Sequence, residues 1–301
     1  MVLSNDNMII TVSEHGAELT SLKYNGREYL WNGDSSYWNR HSPVLFPVVG
    51  KPYNNELHIN GNVYPMKQHG FARDSMFEQI DLRKNSVSFR MKDAISNDVY
   101  PYRFGLEVTY AIKGNKLNVS WCVKNLGECK MYYQIGAHPA FMLPDYDLGD
   151  EIHGYICFHA HNSNNNQSVS PVLLSRLEEG NRVMLQEPIQ LPHKMPITAN
   201  TFAGDALMIE NRPKSGRSQE VSTVTLCNKQ GKPVLSVDCS DADAYGIWAP
   251  HKEGCPFVCI EPWQGICDQK GFIDDISKRD IIRSINPGNH GRFEYSIALN
   301  E

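Results

Sequence analysis

The chain predicts an all-β fold, a large antiparallel β-sandwich with few short helices, and three observations carry that prediction. Apolar residues recur with a period of two, not the ~3.6 of a helix, in many short segments. Gly, Asn and Pro fall between those segments, where tight turns need them. Long amphipathic stretches with helical spacing are hard to find.

Residues 8–12 read as an early strand. Residues 85–91 (NSVSFRM) alternate polar and apolar side chains, as a strand with one buried face must. Residues 106–112 and 116–123 do the same. The Lys113-Gly114-Asn115 stretch between them reads as a hairpin loop, because Gly and Asn tolerate positive φ, so the two strands pair antiparallel. Residues 221–226, 234–237 and 293–299 are further strands. Residues 275–285 suit a short helix, and their Ile281-Ile282-Arg283-Ser284-Ile285 end suits a strand equally. The polar run at 161–168 reads as an exposed loop. With no Gly/Ser-rich linker, abrupt composition shift or fixed-period repeat, residues 1–301 read as a single domain.

Hydrophobic residues make up 41% of the 301 and charged residues 21%, the balance of an ordinary globular protein. A net charge of −5 leaves no basic footprint, so neither nucleic acid nor an anionic membrane surface is an expected partner. Residues 1–7 have no basic start, apolar run or cleavage site, which argues against a secretory signal and for a cytoplasmic location. The 8 cysteines sit mostly in apolar strand segments and read as buried free thiols.

Four segments place reactive side chains among apolar or tightly turning residues. Residues 38–51 hold an apolar, proline-shaped stretch flanked by Arg40, His41 and Lys51, which reads as a ligand-facing segment or as a kinked edge strand with solvated ends. In Gln68-His69-Gly70-Phe71-Ala72-Arg73, the glycine lets backbone approach a ligand and Arg73 supplies a forked donor; a plain turn is the other reading. His138, between Ala137 and Pro139, is an acid–base candidate near neutrality or a hydrogen-bonded core histidine. Glu261 ends the apolar run 257–260. A carboxylate there costs several kcal/mol unless it is paired or faces a ligand, so a partner arginine is the alternative to function. Trp263 beside it can stack on the apolar face of a sugar ring.

His251, Cys255, Cys259 and Cys267 can be strung together as zinc ligands, but they contain no compact C-x-x-C pair. Neither G-x-x-x-x-G-K-[ST] nor G-x-G-x-x-G occurs, so nucleotide chemistry has no anchor.

In their order along the chain, the motifs Arg-x-x-Pro-Val-Leu-Phe-Pro-Val-Val-Gly, His-Gly-Phe-Ala-Arg, His-Pro-Ala-Phe and Cys-Ile-Glu-Pro-Trp-x-Gly resemble those of the aldose 1-epimerase (galactose mutarotase-like) superfamily, most closely its LacX-like branch. The resemblance covers nearly the whole chain. It implies a β-supersandwich whose concave face binds a sugar or sugar phosphate, with no cofactor and no metal. By the same resemblance Glu261 is the general base, His138 the general acid, and His69 the second histidine on the sugar ring. Arg40 and Arg73 match substrate-facing arginines, and Asp205 an aspartate that holds sugar hydroxyls. The sequence around His69 differs from that of galactose-specific members and is closer to LacX and hexose-6-phosphate branches.

The expected activity is therefore an aldose 1-epimerase, with a hexose-6-phosphate 1-epimerase as its alternative. A non-catalytic sugar-binding or sensing protein on the same scaffold belongs to a different class. A glycoside hydrolase would need a second carboxylate beside Glu261, for which Asp241, Asp243, Asp274 and Asp275 are the candidates.

Overall fold

A computed structural model describes residues 1–93, 95–160, 173–183, 190–211 and 221–300. Two large antiparallel sheets dominate it. The first has nine strands in the order Lys194–Ile197, Gly154–Ala160, Val221–Cys227, Pro233–Asp238, His290–Leu299, Lys116–Asn125, Phe104–Lys113, Ser86–Met91 and Phe77–Arg83. The second runs Asn181–Val183, Leu173–Glu178, Leu207–Glu210, Ala244–Trp248, Phe257–Gln264, Ile135–Ala137 and Val44–Leu45, with Ala140–Met142 also pairing on Phe257–Gln264. A smaller sheet of four strands, Val2–Ser4, Met8–Val12, Leu19–Tyr24 and Arg27–Glu28, begins the chain. Helix among the described residues is confined to three short 3₁₀ turns.

Alternation explains the layering. Val108, Leu117, Val119 and Ile297 of the nine-stranded sheet join Ile247, Val258 and Ile260 of the other in one apolar cluster. Each such side chain is worth ~1.5–3 kcal/mol when fully buried. Their strand neighbours turn outward and pair as polar ladders, such as Ser88 with Thr109 at 2.8 Å.

The expected strands are present. Lys113 pairs with Lys116, so the hairpin loop is only Gly114-Asn115, one residue shorter than the sequence suggests. Residues 275–285 are both things the sequence allowed: a 3₁₀ turn at Ile276–Lys278, then a strand at Arg283–Ile285. The polar run at 161–168 lies outside the described residues. All 8 cysteines are free, yet Cys129 is exposed and Cys122 and Cys255 are half-buried, so burial holds only for the remaining five. No helix among the described residues is long and apolar enough to cross a membrane.

Candidate functional site

Strand register creates the site. On the Phe257–Gln264 strand, Trp263 pairs with Gly136 and Cys259 with Ala140. Continuing that register across the break at His138-Pro139 sets His138 opposite Glu261. The Ile260 N–H donates to the Pro139 carbonyl at 3.2 Å and holds the break against the strand. Cross-strand neighbours share a face, and His138 Nε2 lies 3.3 Å from Glu261 Oε2. The two are 7% and 2% exposed, so neither charge has water to lean on. The arginine that a structural glutamate would require is not what faces Glu261; a histidine is.

The pair forms the floor of a cleft of about 520 Å³, inside the ~300–1,000 Å³ span of small-molecule sites. Its walls are aromatic. Trp38 stacks on His138 with centroids 4.8 Å apart and 27° between planes, and Trp248 meets the same imidazole edge-on at 5.7 Å. Trp38 is itself pinned, its carbonyl accepting from Trp31 Nε1 at 2.8 Å. Trp263 lies in a slot left by two glycines: a Cβ on Gly136 would come 2.6 Å from its ring, and one on Gly246 2.9 Å. The Trp38 and Trp248 roles are ones the sequence reading missed, since nothing local to either residue shows that it faces His138.

The His69-Gly70 turn brings in the second histidine. Both residues have positive φ, and Gly70 is required there, because a Cβ would lie 2.1 Å from the Phe46 carbonyl oxygen. His69 N donates to Gly50 O at 2.8 Å, and Gly50 N donates back to His69 Nδ1 at 3.1 Å. An Nδ1 that accepts leaves the proton on Nε2. His69 is therefore a neutral donor, and its ring stands 5.3 Å from that of His138.

Arg73 also lines the cleft. It donates through Nη2 to Gln68 O at 2.7 Å, while its buried Nε has no partner among the described residues. Arg40 does not line the cleft. It is tied at 2.7 Å to Asp74 and lies against the Arg73 carbonyl, so it sits behind Arg73. Asp205 reaches the cleft mouth, exposed, with its carboxylate accepting from Ala206 N at 2.8 Å. Lys51, Asn55, Gln68 and Glu179 are the other polar residues of the lining.

Burial sets the electrostatics. It holds the Glu261 carboxyl well above the usual carboxylate range; the Trp263 indole N–H opposes that shift and the Asp205 charge adds to it. Burial also pushes the His138 imidazole far below its ordinary value, with Arg73 and Arg40 repelling a further cation. His69 is lowered by burial first and by His138 and Arg73 next. Both shifts favour the uncharged forms of the pair, a protonated carboxyl beside a neutral imidazole.

The hydrolase reading finds no support in the placement of Asp241, Asp243, Asp274 and Asp275, its candidate carboxylates. Asp243 is held by Arg283 at 2.6 Å, Asp274 by Lys278 at 3.3 Å, and Asp275 caps the turn at Ser277. None of these, nor Asp241, lines the cleft. His251, Cys255, Cys259 and Cys267 do not gather either. The group the fold does gather, among the described residues, is His138, Cys259 and Glu261, with one ligand atom from each within 4.8 Å of the others.

Two stacked antiparallel sheets, with a cleft over one of them, define a galactose mutarotase-like supersandwich. The profile of the aldose 1-epimerase family matches residues 1–271, and the chain belongs to that family. It is 30% identical to the LacX protein of Lactococcus lactis subsp. lactis, over 99% of this chain and 98% of that one. The galactose mutarotase related enzyme of Lactobacillus acidophilus superposes with a TM-score of 0.89 at 29% identity, covering 100% of this chain and 97% of that structure. A galactose mutarotase-like protein of Lactobacillus casei gives 0.87 at 26% identity, over 100% and 99%.

Proposed function

We propose that the protein is an aldose 1-epimerase that interconverts the α and β anomers of a hexose by acid–base ring opening. Family membership supports a sugar isomerase. The observation that carries the reading is the buried His138–Glu261 contact of 3.3 Å at the floor of an aromatic-walled cleft.

In this reading Glu261 removes the proton of the anomeric hydroxyl and His138 donates one to the ring oxygen, which opens the C1–O5 bond. Rotation about C1–C2 presents the other carbonyl face, and closure reverses both transfers. The uncharged pair that burial favours at rest already contains the necessary proton. Moving it from Glu261 to His138 gives a carboxylate and an imidazolium without exchange with solvent. A bound sugar stabilises that charged form, since O1–H donates to the carboxylate and O5 accepts from the imidazolium. His69 Nε2–H donates to a sugar oxygen, Asp205 accepts from hydroxyls at the mouth, and Trp263 offers its face to the ring.

Polarimetry or NMR of freshly dissolved α-hexoses tests the proposal: catalytic amounts of protein speed the approach to anomeric equilibrium. Sugar binding with no acceleration on any hexose or hexose phosphate would mean a binding protein instead. Trp38 acts by holding the His138 ring, and an aromatic contact of this kind is worth about 1 kcal/mol. Trp38→Ala is expected to lower kcat about 5- to 10-fold, while Trp38→Phe, which restores a stacked ring, stays within about threefold of wild type.

A hexose 6-phosphate as substrate is favoured by one observation, the two cations Arg73 and Lys51 on the cleft wall, with Arg73 Nε buried and without a hydrogen-bond partner among the described residues. Arg73→Ala separates the two substrates. For a phosphorylated substrate, kcat/KM on glucose 6-phosphate falls at least about 10-fold more than on glucose, the worth of one charge-assisted hydrogen bond. Equal losses on both sugars identify the free hexose.

A further inference from the structure

The reaction above has no use for Cys259, yet the fold places its thiol beside the acid–base pair. Cys259 and Glu261 are alternate residues of one strand and so share its cleft-side face. His138 stands opposite Glu261. The three are 0%, 2% and 7% exposed, and their ligand atoms all lie within 4.8 Å of one another. Glu261 Oε2 makes no hydrogen bond among the described residues.

We propose that His138, Cys259 and Glu261 form a binding site for a borderline-soft divalent cation, Zn²⁺ foremost, and that its occupancy inhibits the protein. The donor set is one nitrogen, one sulfur and one oxygen, which selects zinc over magnesium or calcium. Tetrahedral zinc with bonds of ~2.0–2.3 Å sets its ligand atoms ~3.3–3.6 Å apart. His138 Nε2 and Glu261 Oε2 already stand at 3.3 Å, so the ion fits between them without moving either strand, and Cys259 closes the rest by a side-chain adjustment. The shell is stiff: Trp38 stacks on His138, and on the Cys259 strand Phe257 stacks on Trp31 at 4.5 Å. The fourth position opens into the cleft, where water or a sugar oxygen completes the tetrahedron. Coordination displaces the thiol proton and any proton on Glu261, and it occupies the lone pairs that proton transfer needs.

The inhibitory part rests on the acid–base reading; the binding part does not. Co²⁺ titrated into the metal-free full-length protein, without sugar, is the direct probe. The expected result is one equivalent bound with a thiolate-to-cobalt charge-transfer band, lost in Cys259→Ala and displaced by Zn²⁺. Zn²⁺ affinity by calorimetry is expected to drop more than about 100-fold in Cys259→Ala, since losing a ligand costs at least what losing an outer partner does. Cys259→Ser provides the same comparison should the alanine variant fold poorly. In wild type, Zn²⁺ slows anomer interconversion and EDTA restores it, whereas the cysteine variants keep their rate in Zn²⁺. A cobalt complex without the thiolate band, or Zn²⁺ bound equally well by the cysteine variants, overturns the proposal while leaving anomerase activity untouched. The band in a protein without anomerase activity upholds the site and removes the acid–base reading instead.

Discussion

Glu261→Gln is expected to lower kcat for anomer interconversion by about 10²–10⁴-fold, the usual contribution of a positioned acid–base group. Sugar affinity should change by only a few fold, because the amide keeps the shape and much of the hydrogen bonding of the carboxyl. Stability should hardly move. Burial favours the uncharged form of Glu261, which the neutral amide resembles. Polarimetric rates and calorimetric sugar binding on the same preparation read the two quantities separately. Loss of rate with binding retained is the signature of a catalytic residue. A variant that loses rate and binding together would make Glu261 a binding group, and one that keeps its rate would remove it from the reaction.

Arg279→Leu is expected to be the most damaging change to stability. Arg279 Nε donates to Asp268 Oδ1 at 2.6 Å, with the side chains 1% and 5% exposed. The other Asp268 oxygen accepts from Tyr53 N at 3.0 Å, and the Asp268 carbonyl accepts from Arg182 N at 2.8 Å. Asp268 thus ties the Arg182 strand and the segment after Lys51 to Arg279, the residue that ends the 3₁₀ turn at Ile276–Lys278. Removing the arginine leaves a buried carboxylate without its counter-charge, at a cost of ~3–5 kcal/mol. That corresponds to a drop in Tm on the order of 10 °C, measurable by calorimetry. The double variant Arg279→Leu/Asp268→Asn should recover part of the loss, because most of the cost lies in the stranded charge and not in the missing bond. A single variant within 2 °C of wild type, on the order of less than 1 kcal/mol, would show that water reaches Asp268.

Much of the fold was legible because sheet signals are local. The hairpin around Gly114-Asn115 announces itself through alternation and its turn, and the structure extends the first strand to Phe104–Lys113 and the second only at its far end, to Asn125. Glu261 was legible as well, since a carboxylate after four apolar residues is costly enough to demand an explanation. His138 was less so: a histidine between alanine and proline fits a core or a site equally well. For Arg40 the tertiary structure adds a partner that the sequence does not reveal. Arg40 carries the charge and the motif position of a substrate-facing residue, and Asp74 lies 2.7 Å away and pairs with the guanidinium. Trp38 and Trp248 carried no local mark, because a tryptophan in an apolar stretch looks the same whether it fills the core or walls a cleft.

The all-β class, the antiparallel pairing of neighbouring strands, the family and the short roster of reactive residues were all written in the chain, since each depends on a side-chain period, a turn or an ordered motif. Convergence was decided only by the tertiary structure. The contact between His138 and Glu261 depends on the register with which the Phe257–Gln264 strand takes Ile135–Ala137 on one side of Pro139 and Ala140–Met142 on the other. A slip of one residue would turn Glu261 to the opposite face of the sheet. Register is fixed by the packing of both sheet faces at once, and that is a property of the whole fold rather than of any segment. The same packing excludes water from the pair, shifts both pKa values towards the uncharged forms, and brings the Cys259 thiol to the same spot.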